Sequence, residues 1–250
     1  MSRQRLGQHF LVKGSILERI AASACPQREP LVVEIGPGKG ALTERLLARA
    51  DRVVAIELDE ELAERLRKKF PERLEVVSAD VLETDLNQWG QAVVAGNLPY
   101  YISTAILSRV LAPGSLLTRG VFLVQKEVAE RITARPGSRA YGYLSVEAQL
   151  YAEVRMLFEV RPSAFHPPPK VDSALIGFAL HSAASEFGVE SPAEFLKFVS
   201  LCFRHKRKTI RNNLAEAYGA DRVGAWLEAS QRAEQLSLLQ FADMYRRLVG

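Results

Sequence analysis

From residue 31 onward, short apolar runs rich in β-branched residues alternate with stretches whose apolar positions recur at helical spacing, the pattern of βα units on a parallel sheet. Residues 31–35 read as a fully buried first strand and 52–57 as the second, with a helix over 41–50 between them carried by Leu42, Leu46 and Ala50. The same alternation predicts strands over 74–77, 92–95 and 121–124, and helices over 60–69, 102–111 and 126–134. It loosens after residue 140, where Pro162, Pro167, Pro168 and Pro169 favour a stiff, extended loop. Apolar segments on either side of that loop, 154–160 and 174–180, are expected to add a pair of strands to the sheet edge. A compositional shift at Ala183-Ala184-Ser185 suggests a boundary, and 192–249 carries helical spacing throughout. The expectation is an α/β domain built on a parallel sheet over 1–185, followed by a small all-helical domain over 186–250.

Composition narrows the class rather than the chemistry. The 250 residues are 48% hydrophobic and 25% charged, which supplies a sizeable core and excludes wholesale disorder. Two cysteines, Cys25 and Cys202, make neither a disulfide framework nor a zinc site. With no apolar stretch of signal-peptide or membrane-span type, the cytoplasm is the expected compartment. The net charge of +4 becomes informative only through its distribution along the chain.

The string Glu34-Ile35-Gly36-Pro37-Gly38-Lys39-Gly40 stands where the first strand gives way to a helix. Glycines there allow a tight turn and close ligand approach near the positive end of the helix dipole. Glu57 ends the second strand, 21 residues beyond Gly36, the separation expected of a ribose-binding acid. Asp80 follows the third strand, where its carboxylate can accept the amino hydrogen of an adenine. Gly36, Gly38, Glu57 and Asp80 together fit an adenosyl cofactor, although with Ala41 the glycine string also satisfies the looser dinucleotide pattern of NAD enzymes. Either acid can equally serve as a loop residue or a helix cap.

The fourth strand runs into Asn97-Leu98-Pro99-Tyr100. An Asn-x-Pro-Tyr turn at that place resembles S-adenosylmethionine enzymes that methylate planar exocyclic amino nitrogens. The residue types suit the chemistry. An adenine N6 lone pair is conjugated into the ring and becomes nucleophilic when hydrogen-bond acceptors favour a pyramidal nitrogen. The Asn97 side-chain oxygen and the Leu98 carbonyl, held by Pro99, can provide those acceptors. Tyr100 can stack on the base, a contact worth roughly 1–3 kcal/mol. Phe165, at the head of the string Phe165-His166-Pro167-Pro168-Pro169, can offer the opposite face of a base sandwich, or else anchor the loop in the core. His166 reads as a solvent-facing loop residue.

Arg204, Lys206, Arg207, Lys208 and Arg211 place five fixed cations in one short acid-free segment, which leaves the rest of the chain at −1. Such concentration favours phosphate contacts over a merely solvated face. Read as a helix, the segment puts Arg204, Lys208 and Arg211 on one side and Phe203, Ile210 and Leu214 on another. Arg3, Arg5 and Lys13 add a smaller basic patch.

Taken together, residues 6–11, 34–40, 57, 80, 97–100, 125–127, 141–142, 165–173 and 204–214 resemble the small-subunit ribosomal RNA adenine dimethyltransferase family. The resemblance implies conversion of two adjacent adenosines near the 3′ end of 16S rRNA to N6,N6-dimethyladenosine, in the small subunit or its precursor. It implies a Rossmann-like methyltransferase sheet with a small all-helical C-terminal domain, and S-adenosylmethionine as cofactor, held by Gln8, His9, Leu11, Gly36, Gly38, Glu57, Asp80 and Asn97. By the same resemblance the target base lies between Tyr100 and Phe165, and Arg204, Lys206, Arg207, Lys208 and Arg211 contact RNA. No metal is expected, and the chain is expected to act as a monomer. His9 stands where the family commonly has Asn. Three rivals remain: the related large-subunit adenine methyltransferase of macrolide resistance, a ribosome-assembly factor whose methylation is dispensable, and an NAD dehydrogenase.

Overall fold

The structure is a computed structural model that describes residues 9–112, 114–180 and 186–249. Gln8, Arg3 and Arg5 lie outside the described residues, as does the expected boundary at 183–185.

Nine strands and ten α-helices appear among the described residues. In chain order they are β1 (Phe10–Leu11), α1 (Gly14–Ala24), β2 (Glu29–Ile35), α2 (Ala41–Leu47), β3 (Ala50–Glu57), α3 (Glu60–Lys69), β4 (Leu74–Ser78), β5 (Ala92–Asn97), α4 (Ser103–Val110), β6 (Leu117–Gln125), α5 (Lys126–Ile132), α6 (Tyr143–Tyr151), β7 (Ala152–Val160), β8 (Phe165–His166), β9 (Ser173–Leu180), α7 (Pro192–Cys202), α8 (Ile210–Tyr218), α9 (Ala220–Gly224) and α10 (Leu238–Val249). Seven strands form one sheet in the order β4-β3-β2-β5-β6-β9-β7, while β1 and β8 make a separate antiparallel pair. Strands β4, β3, β2, β5 and β6 run parallel, and β9 runs antiparallel to β6.

The near-continuous apolar runs of β2, β3 and β5 are those of strands covered on both faces, and Val32, Val33, Val53, Val54, Val93 and Val94 are fully buried. Leu17, Ile20 and Ala21 of α1 and Leu42 and Leu46 of α2 share one core cluster with Val32, Val53, Val93 and Val121. α3 is delimited by its ends. Asp59 accepts from the amides of Glu61 (2.9 Å) and Leu62 (3.3 Å), and Arg67, Lys68 and Lys69 occupy the last turn, favourable at the negative end of the helix dipole. The expected helix over 41–50 stops at Leu47, because Ala50 is already drawn into the ladder opposite Glu29.

Two compact units divide the chain. The first comprises the described residues up to Ala129 together with Arg155–Leu180, and the second Glu130–Val154 together with the described residues from 186 on. A single division after residue 185 therefore does not describe this chain. The reason is α6, buried on nearly every side through Leu144, Val146, Ala148 and Leu150, which packs with α7 and α10 rather than with the sheet. The core of the second unit is aromatic. Phe195 and Tyr245 lie 5.6 Å apart by ring centroid, Phe203 and Phe241 5.6 Å, and Tyr141 meets Phe203 edge-on at 6.2 Å. Cys25 and Cys202 are both buried and free, and burial pushes their thiols above the ordinary range.

At Gly96 the backbone of β5 passes close to the Ile35 carbonyl of β2. A Cβ placed there would stand 2.4 Å from the Ile35 carbonyl oxygen, a backbone atom with no room to yield. Gly96→Ala is expected to destabilise the first unit by about 2 kcal/mol, in the range for overpacked interiors. A urea denaturation midpoint equal to that of the wild type would contradict this account of the β2–β5 contact.

Candidate active site

Parallel pairing brings the carboxyl ends of β2, β3, β4 and β5 to one edge of the sheet, where open α/β sheets bind ligands. Glu34 lies opposite Ala55 and Ala95, Glu57 opposite Ser78, and Asn97 opposite Leu123. The turn leaving β2 needs its glycines. Gly36 and Gly38 adopt φ of 66° and 57°, and a Cβ on Gly38 would meet the Phe10 ring at 3.0 Å. The Gly38 amide donates to Glu57 Oε2 at 3.0 Å, and the Asp59 amide donates to Glu57 Oε1, also at 3.0 Å. A buried carboxylate thus ties the β2 and β3 turns together. Burial raises the Glu57 pKa, and these two amide hydrogen bonds oppose the rise.

A cavity of about 360 Å³ opens above this edge. Its lining brings together His9, Leu11, Gly36, Gly38, Glu57 and Asn97 of the expected cofactor residues, with Leu98, Pro99 and Tyr100 of the expected catalytic turn. Asp80 lies apart from it, on an adjoining apolar slot of about 60 Å³ with Ile56, Leu58, Val81 and Ile102; Gly36, Glu57 and Pro99 border both. The Asp80 carboxylate is partly engaged as a turn cap, with Oδ1 accepting from the Leu82 amide at 2.9 Å.

The pair β1–β8 carries the N-terminal segment to the site, with Phe10 opposite His166 and Leu11 opposite Phe165. The Asn97 side-chain nitrogen donates to the His9 carbonyl at 3.0 Å, which leaves the amide oxygen as the acceptor. Nδ1 of His9 lies 2.8 Å from the Pro167 carbonyl, and its ring sits 5.7 Å from that of Tyr100, tilted by 34°. The Tyr100 hydroxyl is 2.6 Å from Ser173 Oγ, and burial raises its pKa. Of the two readings of Phe165, the ligand-free structure fits the loop anchor: the ring is only 4% exposed and belongs to the core cluster with Leu11 and Leu17. His166 is exposed, as the sequence suggests.

Glu34 is the residue that motif reasoning passes over. It lines the cavity at 1% exposure, and its Oε2 has no hydrogen-bond partner. Burial pushes its pKa up to about 8; interaction with the Thr43 hydroxyl opposes the rise, and the neighbouring charge of Glu57 adds to it. In the sequence it stands at the head of the glycine string, a carboxyl inside an otherwise apolar strand to which the motif assigns no role.

In the second unit, the basic run is a turn, not a helix. Phe203 closes α7, Thr209 caps α8, and residues 204–208 lie between them. Arg204, Lys206, Arg207, Lys208 and Arg211 are all exposed. Arg204 pairs with Glu216 at 3.0 Å, and Lys206 donates to the Arg139 carbonyl at 3.1 Å. The helical face expected to join Arg204, Lys208 and Arg211 does not form.

The sequence model described as ribosomal RNA adenine dimethylase matches residues 1–249. The chain belongs to this family. It is similar to the ribosomal RNA small subunit methyltransferase A of Acidobacterium capsulatum, at 43% identity over 98% of this chain and 91% of the relative. The enzyme of the same name from Bordetella bronchiseptica is 41% identical over 100% of this chain and 95% of its own length. In fold, it resembles the crystal structure of a dimethyladenosine transferase from Plasmodium falciparum, with a TM-score of 0.82 and 24% identity over 96% of this chain and 98% of that one. The crystal structure of the 23S rRNA methyltransferase ErmE matches with a TM-score of 0.74 and 28% identity over 96% of this chain and 100% of that one. An adenine dimethylase of this family is an enzyme, which removes the NAD dehydrogenase from consideration.

Glu34 has a measurable electrostatic consequence in the ligand-free protein. Between its ordinary value near 4.5 and about 8, the folded chain keeps a proton that the unfolded chain has released. Stability is therefore full at the acid end and falls as pH rises through that window, by at most about 1.4 kcal/mol per unit. Glu34→Gln should flatten the decline of melting temperature across that range; an unaltered slope would show that Glu34 is ionised in the folded state.

Proposed function

We propose that this chain transfers methyl groups from S-adenosylmethionine to the N6 amino groups of two adjacent adenosines near the 3′ end of 16S rRNA, in the small ribosomal subunit or its precursor. The reading is carried by Asn97: its amide nitrogen is held by the His9 carbonyl at the carboxyl end of β5, so that its oxygen is the atom presented for hydrogen bonding. The cavity suits the donor chemically. Gly38 and Glu57 offer a close backbone approach and a carboxylate for ribose hydroxyls. The unpartnered Glu34 oxygen and the Glu57 carboxylate make the surroundings favourable to a cationic ligand. Asp80 and its apolar slot suit an adenine ring with an exocyclic amino group. His9 and Leu11 close the cavity from the β1 side.

The chemistry the bound donor supplies is an electrophilic methyl group on a sulfonium. The residues of the chain do the rest by hydrogen bonding and position. Asn97 Oδ1 and the Leu98 carbonyl accept from the target amino group and favour its pyramidal form. Pro99 stiffens the turn that aims them. Tyr100, braced through its hydroxyl by Ser173, supplies the stacking face, and Phe165 acts from the core by fixing the proline loop. No strong base is required, because the cationic nitrogen formed on methylation is acidic. Arg204, Lys206, Arg207, Lys208 and Arg211 contact RNA phosphates. We further propose that the enzyme works as a monomer in the cytoplasm, where its ribosomal substrate is assembled. Among the described residues, no helix is long and apolar enough to cross a membrane.

The deciding test is transfer of labelled methyl from S-adenosylmethionine to small subunits lacking adenine dimethylation, with large-subunit RNA in parallel. Dimethyladenosine in 16S rRNA supports the proposal; product confined to large-subunit RNA would transfer it to the ErmE-like alternative. Asn97→Ala should lower turnover by about a hundredfold or more, in line with the removal of a positioned polar group at a reacting centre, while RNA binding stays near wild type. Retained turnover would remove Asn97 from the mechanism. If the Asn97→Ala protein also restored subunit assembly in cells, the assembly role would be separable from methylation. Replacing Lys206, Arg207 and Lys208 by Gln should weaken RNA binding and reduce its salt slope by about 0.7–0.9 for each phosphate that is no longer neutralised.

A further inference from the structure

A stretch of four cations, Arg204, Lys206, Arg207 and Lys208, crowded into a short turn repels itself, and a flexible turn would spend part of any binding free energy on being ordered. The turn between α7 and α8 is instead tied from beneath by one side chain. Asn213, on the first turns of α8 and only 4% exposed, aims the two N–H groups of Nδ2 at a cluster of three backbone carbonyls, Cys202 at 2.8 Å, His205 at 3.2 Å and Lys208 at 3.4 Å, so that one hydrogen is shared between two of them. Its Oδ1 accepts from the His205 amide at 3.1 Å. These bonds reach the last residue of α7, the middle of the turn and the residue before the α8 cap. An Asn is suited to this because its amide offers donors and an acceptor at once, which neither Ala nor Leu on the same buried helix face can supply.

The platform itself is fixed independently. The Ile210 amide donates to the Gln231 carbonyl at 2.8 Å, the Arg211 amide donates to that of Ala229 at 3.1 Å, and Ile210 and Leu214 are fully buried. Asn213 therefore ties the turn to a helix that is already held in place. At Lys206 and Arg207 the backbone follows the geometry set by Asn213 and by the Lys208 amide, which donates to the His205 carbonyl at 2.9 Å.

We propose that Asn213 is a positioning residue for RNA recognition: by holding the backbone of the turn it presents Arg204, Lys206, Arg207 and Lys208 to the phosphate backbone in one preset arrangement. This rests on the reading that the turn contacts rRNA. Preorganisation lowers the ordering cost of binding without adding a charge. Removing Asn213 and removing the cations must then differ in kind.

The experiment compares Asn213→Ala with a variant carrying Gln at 206, 207 and 208, measuring small-subunit binding against salt concentration together with KM and kcat. Asn213→Ala should bind about tenfold more weakly with the salt slope of the wild type, the defect appearing in KM for the subunit and not in kcat. The Gln variant should weaken binding with a flatter slope. Wild-type affinity in the Gln variant would refute the RNA reading of the turn; weakened binding there beside wild-type affinity in Asn213→Ala would overturn the role of Asn213 alone. Should Asn213→Ala fail to fold, Asn213→Ser keeps a neutral hydroxyl that can donate to one carbonyl while giving up the other bonds, and a smaller weakening with the wild-type salt slope is expected. Amide exchange on the intact wild-type enzyme gives an independent check: the His205 amide should exchange more slowly than those of Lys206 and Arg207, and equal rates would overturn the proposal.

Discussion

The site depends on β2 being flanked by parallel strands on both sides. Its ladders to β3 and β5 set which residues end level with one another, and the ends of those three strands carry the glycine turn, Glu57 and Asn97. The ladder tolerates this only because Gly96 carries no side chain where β5 passes the Ile35 carbonyl. A slip of one residue in either ladder would turn Asn97 or Glu57 to the opposite face of the sheet. The polar groups of the site are thus placed by hydrogen bonds between apolar strands, and its geometry inherits the rigidity of the buried core.

Within that frame the two buried carboxyls play different parts. Glu57 has both oxygens engaged by backbone amides and links two loops; those bonds offset part of the cost of its burial. Glu34 is deeper and has an oxygen with no partner, so the ligand-free protein bears an unrelieved desolvation there. A cationic ligand in the neighbouring cavity would relieve it. The β1–β8 pair completes the enclosure, since the same short ladder that buries Leu11 and Phe165 brings the His9 carbonyl to the Asn97 amide.

The second unit solves a different problem with a similar device. An aromatic core around Phe195, Phe198 and Phe241 holds α7, α8 and α10, and that core gives one buried polar side chain, Asn213, a fixed base from which to organise an exposed and highly charged turn. Charge alone would have left these cations as a solvated loop.

Periodicity in the sequence was enough to expect a parallel sheet, though not its strand order, and local motifs were enough to single out Gly36, Gly38, Glu57, Asp80 and the Asn97–Tyr100 turn as candidates. These features are legible because each depends on residue type within a few positions: glycine for positive φ, continuous apolar runs for strands buried on both faces, proline for a stiff turn. The sequence did not decide between the two readings of Phe165, nor reveal that residues 204–208 leave the helix, that α6 belongs with the C-terminal helices, or that one oxygen of Glu34 is left without a hydrogen-bond partner. Each of those is settled by a contact between residues far apart in the chain or by a competition among them: Leu11 against Phe165 across β1–β8, Asn213 against a continued helix, α7 and α10 against the sheet for the faces of α6. Local pattern carries the propensity to form an element, whereas burial and hydrogen-bond satisfaction are properties of the packed whole, and only the tertiary structure decides them.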